Sequence, residues 1–176
     1  MSSDSPANRY ARQIQFAPIG SKGHQGITGS RVAVLGAGAL GTVAAEILAR
    51  AGVGKLVIID RDVVEWTNLQ RQALYIEQDA IDGRSKADAS CDRLKAINSN
   101  IELHPVVADV SSGNICDILN DVDLVIDAAD NFLIRFLLND WSLKTKTPWV
   151  HGGCVGAVGQ VRLFTGEGRP CFRCLV

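Results

Sequence analysis

Arg31-Val32-Ala33-Val34-Leu35-Gly36-Ala37-Gly38-Ala39-Leu40-Gly41 decides the fold. Val32 to Leu35 is a continuous apolar run, the pattern of a strand buried on both faces. Glycines at 36, 38 and 41 then turn the chain into Leu40 to Ala51, whose alanine-rich apolar spacing is helical and which stops at Gly52 and Gly54. Glycines between a strand and a helix let the backbone turn tightly and let phosphate oxygens approach its amides, with the partial positive charge of the helix N-terminus behind them. Such a turn suits a dinucleotide and a nucleoside triphosphate equally.

Outward from that stretch the same alternation continues. Lys55 to Asp60 reads as strand two, Ser85 to Asn98 as a helix, and Ile101 to Val107 as strand three. Pro105 cannot donate to a sheet ladder, so strand three is expected at an edge or broken there. Ile115 to Leu119 reads as a short helix, Asp123 to Asp127 as strand four, Asn131 to Lys144 as a helix, Trp149-Val150-His151 as strand five, and Gly156 to Phe164 as one further strand. This alternation predicts an α/β fold: a Rossmann-like, doubly wound, mostly parallel sheet with helices on both faces. Residues 31–176 form the expected nucleotide-binding domain and residues 1–30 an N-terminal arm. Within the arm, Arg9 to Phe16 reads as a short helix and the stretch around Gly20, Gly23, Gly26 and Gly29 as loop, with room for a helical turn.

The bulk properties narrow the classes. With 47% hydrophobic and 21% charged residues among 176, the chain is an ordinary globular domain with a sizeable core. Its net charge of −1 gives no bulk electrostatic reason for nucleic acid or an anionic membrane as partner. No apolar stretch is long enough to span a bilayer, and Met1-Ser2-Ser3-Asp4-Ser5-Pro6 lacks the features of a signal peptide, so a cytoplasmic location is expected. Five cysteines, of which only Cys171 and Cys174 are closely paired, fit thiols in a reducing compartment. The chain stops in apolar residues directly after that pair and reads as truncated at its C-terminus.

The residues after the turn separate the two nucleotides. Asp60 ends strand two at the separation expected of an acid that holds ribose hydroxyls, which suits NAD and ATP alike. Arg71 and Lys86 fit a triphosphate better, because attack at its α-phosphorus builds charge on the transferred group and on the leaving pyrophosphate. Asn68 can orient phosphates or metal, with Gln72 a weaker candidate. In the order 3-2-1-4-5, strands one and four are neighbours where the connections reverse, so the Gly36 loop and Asp130 should face each other across the ligand crevice. A carboxylate there suits Mg²⁺, which prefers one or two protein carboxylates plus phosphate and water. Asp130 can also serve as a helix N-cap, with Asn131 as the competing cap. Arg12 has no evident task within its own chain. Cys171-x-x-Cys174 supplies half of a zinc site. His151 and Cys154 stand three apart on a strand and point to opposite faces, so they read as a strand end rather than a nucleophilic pair.

Arg9-Tyr10-Ala11-Arg12-Gln13, Gly36-x-Gly38-x-x-Gly41, Asp60-x-Asp62, Thr67-Asn68-Leu69-Gln70-Arg71-Gln72, Gly83-x-x-Lys86, Asp130-Asn131 and Cys171-x-x-Cys174 together resemble the ThiF/MoeB/HesA family, bacterial relatives of the ubiquitin-activating enzymes. The resemblance runs from Arg9 to Val176, with MoeB and ThiF nearest in pattern. It implies adenylation of the C-terminal glycine of a small ubiquitin-like sulfur-carrier protein by ATP, giving an acyl-adenylate and pyrophosphate. It further implies that Gly36, Gly38, Ala39, Gly41, Asp60, Asp62, Asn68, Arg71, Gln72, Lys86, Asp130 and Asn131 line the nucleotide site. Asp60 would hold the ribose, Asp130 would bind Mg²⁺, and Arg12 would reach the partner's ATP in a homodimer. Ala39 replaces a glycine that many members carry, and the family's second Cys-x-x-Cys, needed to complete zinc binding, is absent from the sequence. An NAD-binding oxidoreductase and an inactive nucleotide-binding fragment or scaffold are the alternatives.

Overall fold

Arg31–Leu35 forms β1 at the centre of a sheet, parallel to β2 (Lys55–Ile59) on one side and to β4 (Leu124–Asp127) on the other. The structure, a computed structural model, describes residues 9–175. The amino-terminal stretch Met1 to Pro6 and the final Val176 therefore lie outside the described residues. With β3 (Glu102–Val106), β5 (Trp149–Val155) and β6 (Val158–Phe164), the sheet has the order β3-β2-β1-β4-β5-β6. All neighbours are parallel except β5 and β6, which form an antiparallel hairpin around Gly156 at φ 59°. β3 pairs with β2 alone, and Pro105 sits in that edge strand opposite Ile58.

Successive strand residues point to opposite faces and build two cores. Val32, Val34, Leu56 and Ile58 pack under α3 (Ala39–Ala51) and α5 (Lys86–Ile97) through Ala45, Ala49 and Leu94. Ala33, Leu35, Val57 and Ile59 face the other way, with Leu138 and Trp141 of α7 (Phe132–Thr145) and with Trp149, Phe164 and Phe172. Short helices α4 (Glu77–Ile81) and α6 (Ile115–Ile118) fill the connections.

The N-terminal region corrects one expectation. After α1 (Ala11–Gln15), Gly20–Gly29 is not loop but a ten-residue helix, α2. Four glycines weaken its intrinsic propensity, yet tertiary contacts override it. Ile27 packs against the first core and its carbonyl accepts the Gly54 amide at 3.3 Å. A side chain at Gly54 would strike the Thr28 carbonyl oxygen, so the approach of α2 to the start of β2 requires glycine there. No helix among the described residues is long and apolar enough to cross a membrane.

Candidate functional site

The three glycines of the turn have different tasks. Gly36 has φ 95°, and a Cβ there would come within 2.8 Å of the Ala128 carbonyl oxygen. A Cβ at Gly41 would run into the Gly36 carbonyl oxygen. Both are therefore glycine because backbone packs on them. Gly38, the N-cap of α3, faces open space within 4 Å. It has no side-chain cap, and among the described residues the amides of Ala39, Leu40 and Gly41 find no acceptor. Unpaired donors of this kind at a helix start are available to an anion.

Asp60 is bound into the turn. Its Oδ2 accepts the Ala37 amide at 2.7 Å and its Oδ1 accepts the Asp62 amide at 2.8 Å. Each oxygen keeps one further lone pair. Asp62 passes the link on: its carbonyl accepts the Lys86 amide at 2.9 Å and its Oδ2 lies 3.1 Å from Lys86 Nζ. Lys86 is the first residue of α5, after the N-cap Ser85, and is 8% exposed.

Tyr75 completes this wall, and sequence reasoning missed it. Its buried hydroxyl donates to the Ala37 carbonyl at 2.7 Å and stands 3.1 Å from Ser90 Oγ and 3.3 Å from the Lys86 carbonyl. Burial pushes the phenol far above its ordinary pKa, so it remains a donor. Asn68 is buried and uses Oδ1 to cap its own turn through the Glu65 amide at 3.0 Å. Gln72 is 4% exposed, and its Oε1 is buried without a partner. Next to it, the Ala73 amide donates to Thr42 Oγ1 of α3 at 3.3 Å.

The opposite wall is the end of β4. The Ala128 amide donates to the Leu35 carbonyl at 2.9 Å, which continues the ladder past the turn. Asn131, not Asp130, caps α7, accepting the Ile134 amide on Oδ1 at 3.0 Å. Asp130 is exposed and, among the described residues, makes no hydrogen bond or salt bridge. Its negative charge acts on Arg61, which pairs with Asp109 at 3.0 Å. Beside Arg61 and Asp109, against the start of α7, lies a pocket of about 320 Å³ lined by Arg61, Asp109, Val110, Ser111, Asn131 and Ile134 among others. Behind Asp130, Asp127 is buried against His151 and Arg135, two residues for which sequence reasoning found no task.

The side chains of several candidates make no bond to this cluster among the described residues. Arg71 is exposed and donates to the Thr67 carbonyl at 2.8 Å, with no carboxylate at salt-bridge distance among the described residues. Arg12 is at the far end of α3: its neighbour Gln13 donates to the Ala51 carbonyl at 3.1 Å and the Tyr10 ring packs on Gly52. The 13 residues of α3 place that end roughly 20 Å from the glycine turn. Cys171 and Cys174 hold their Sγ atoms 3.8 Å apart. Two thiolates each about 2.3 Å from a tetrahedral zinc are separated by about 3.8 Å. No group of three or more metal-binding side chains occurs among the described residues. Cys154 is exposed and does not meet His151.

Comparison with known proteins bears on the family and the fold. The ThiF family profile matches residues 10–176. The ThiS sulfur-carrier adenylyltransferase of Bacillus subtilis is 45% identical over 168 residues, covering 96% of this chain and 50% of its own. The molybdopterin-synthase adenylyltransferase of Escherichia coli is 38% identical over 174 residues, covering 98% and 69% respectively. Among solved structures, E. coli MccB with ATP superposes with a TM-score of 0.84 at 26% identity, over 96% of this chain and 51% of that one. The chain thus spans about half the length of the Bacillus relative and of MccB. On the family match and these identities, it belongs to the ThiF family.

Proposed function

We propose that this domain adenylates the C-terminal glycine carboxylate of a ubiquitin-like sulfur-carrier protein of the ThiS or MoaD type with ATP, releasing pyrophosphate and leaving an acyl-adenylate for later sulfur transfer. The observation that supports the proposal is the chain Asp60–Asp62–Lys86 bound to the glycine turn, together with Asp130, which follows the strand next to β1 and makes no hydrogen bond or salt bridge among the described residues. Residues 31–176 act as the nucleotide-binding domain and residues 1–30 as its arm, in the cytoplasm.

The free amides of Ala39, Leu40 and Gly41 receive phosphate oxygens, with Gly38 leaving the approach open. The remaining lone pairs of Asp60 accept ribose hydroxyls, and the 320 Å³ pocket beyond it takes the base. Lys86, preorganised by Asp62, meets the charge that grows on the phosphates; Asn68, Gln72 and Arg71 serve the same polyphosphate. Gln72 would donate to it through its side-chain amide nitrogen, because its unpartnered Oε1 is an acceptor and suits a nucleotide hydroxyl rather than a phosphate oxygen. Asp130, with its lone pairs free, holds Mg²⁺, which supplies charge neutralisation on the phosphates when bound. A C-terminal carboxylate is ionised at neutral pH and needs no general base, so the protein's work is positioning and charge stabilisation. Cys171 and Cys174, spaced for one zinc, form half of its site. Arg12, too far from its own chain's turn, serves the nucleotide of a second copy in a homodimer. A dinucleotide would leave Asp130 without a ligand.

ATP–pyrophosphate exchange, measured with purified ThiS-type and MoaD-type carriers, tests the proposal. Exchange that needs both a carrier with an intact C-terminal glycine and Lys86 is expected. ATP binding with no exchange for any carrier would reject it in favour of a nucleotide-binding scaffold, and stabilisation by NAD in place of ATP would favour an oxidoreductase.

A further inference from the structure

The end of β4 holds more charge than the chemistry above uses. The Asp127 side chain is fully buried, and its carboxylate is met by His151 Nδ1 at 2.7 Å and Arg135 Nε at 3.4 Å, both on Oδ2. Arg135 is 12% exposed and His151 7% at their side chains. Placing three ionisable groups in an apolar layer beside Trp149 and Phe172 is costly compared with packing hydrocarbons there. A buried network of this kind calls for something it positions.

The hydrogen bonds show what that is. Asp127 Oδ1 accepts the Ala129 amide at 3.0 Å, and Arg135 Nη2 donates to the Ala129 carbonyl at 2.6 Å. Because each peptide unit is planar, the first bond fixes the Ala128–Ala129 plane and the second fixes the Ala129–Asp130 plane. On the far side Asn131 is fixed as the cap of α7. Asp130 is left with a constrained backbone and an unengaged carboxylate. His151 stands opposite Asp127 in the parallel register of β4 and β5, with its ring packed against both Trp149 and Phe172, and so holds the Asp127 carboxylate from behind.

We infer that Asp127, Arg135 and His151 are positioning residues that clamp the Ala129 peptide from both ends and so set where the Asp130 carboxylate stands for metal-bound nucleotide. The inference rests on the proposal that Asp130 meets the magnesium of ATP. Groups behind a metal ligand typically change metal affinity about 10- to 100-fold when removed. A clamp that only stabilised the fold would change binding of free ATP and of magnesium-bound ATP alike.

The test uses the full chain with Arg135→Gln and Arg135→Lys, with ATP titrated by thermal shift at a series of MgCl₂ concentrations and in EDTA. Hydrogen exchange of the segment from 127 to 131, without nucleotide, is followed in parallel. For Arg135→Gln, the magnesium concentration giving half of the ATP-dependent stabilisation should rise about tenfold or more, with ATP binding in EDTA unchanged within about twofold. The Ala129 to Asn131 amides should exchange about tenfold faster while β1 is unaffected. Arg135→Lys keeps the charge beside Asp127 but not the guanidinium that donates to the Ala129 carbonyl, and should fall between; it carries the test should Arg135→Gln not fold. An unchanged magnesium requirement, or equal losses with and without magnesium, would overturn the clamp alone. A wild-type chain that shows no magnesium-dependent stabilisation by ATP would overturn the functional proposal and the clamp with it.

Discussion

The Tyr75 hydroxyl stands 2.7 Å from the carbonyl of Ala37 and so ties the glycine turn to the irregular segment after β2. Tyr75→Phe keeps the ring but leaves a buried carbonyl and the Ser90 hydroxyl without this partner. An unfolding free energy lower by about 1–3 kcal/mol is expected, together with weaker ATP binding. Urea denaturation with and without ATP measures both. A variant as stable as the parent would show that the hydroxyl does not hold the turn.

The glycines allow fold and binding to be separated. Gly36→Ala forces a Cβ toward the Ala128 carbonyl at φ 95° and should cost at least about 2 kcal/mol of stability. Gly38→Ala enters open space at ordinary φ, so stability should stay within about 1 kcal/mol. Its methyl group nevertheless projects where phosphate approaches, and the thermal stabilisation by ATP should largely disappear. Equal ATP stabilisation of Gly38→Ala and wild type would remove the turn from the binding site.

How much of this could be read from the sequence follows the range of each interaction. Strands β1, β2 and β4 and the Gly36 turn were legible because apolar runs and glycine spacing are local signals. Pro105 placed β3 at an edge from one residue, since a missing donor has the same effect in any context. The glycine-rich helix α2 was not legible, because it is held by its approach to Gly54, which lies far along the chain. The same applies to the site. Gly38, Asp60 and Lys86 belong to recognisable spacings, whereas Tyr75 acts on a carbonyl 38 positions away and His151 on a carboxylate 24 positions away. Nothing near either residue in sequence advertises that partner.

The thiols should differ sharply in reactivity. Cys174 is exposed, and the backbone amide of Cys171, then its thiol, hold the Cys174 thiol below its ordinary range. Cys91 is buried, and desolvation, aided by Asp88 and Asp92, pushes its thiol up to about 12. Alkylation near neutral pH, followed by mass spectrometry, should modify Cys174 early and Cys91 last. Zinc should protect Cys171 and Cys174 together. Unchanged labelling of that pair in zinc would end the case for a metal there.

Acid stability should report Arg31 and Asp123. The Arg31 guanidinium, then its backbone amide, hold the Asp123 carboxyl below its ordinary value. A depressed folded pKa gives stability that is present above the ordinary carboxylate pKa and is lost as pH falls through the depressed one. Asp123→Asn should therefore lower stability near neutral pH and converge with wild type in acid. The pair is about half exposed, so the difference should be under about 1 kcal/mol and should shrink with salt. A difference that grew toward low pH would contradict the assignment.

The two borders of the sheet are unlike. On one, Pro105 interrupts the row of outward donors in a five-residue strand. On the other, β6 runs seven residues with Val158, Val161 and Leu163 open to solvent, and among the described residues nothing pairs with its outer side. Lateral growth is thus polarised: an incoming extended segment finds an unbroken template beside β6 and a defective one beside β3. Solubility engineering of this domain therefore has a single border to protect, and charged replacements at Val158 or Val161 are the economical place to start.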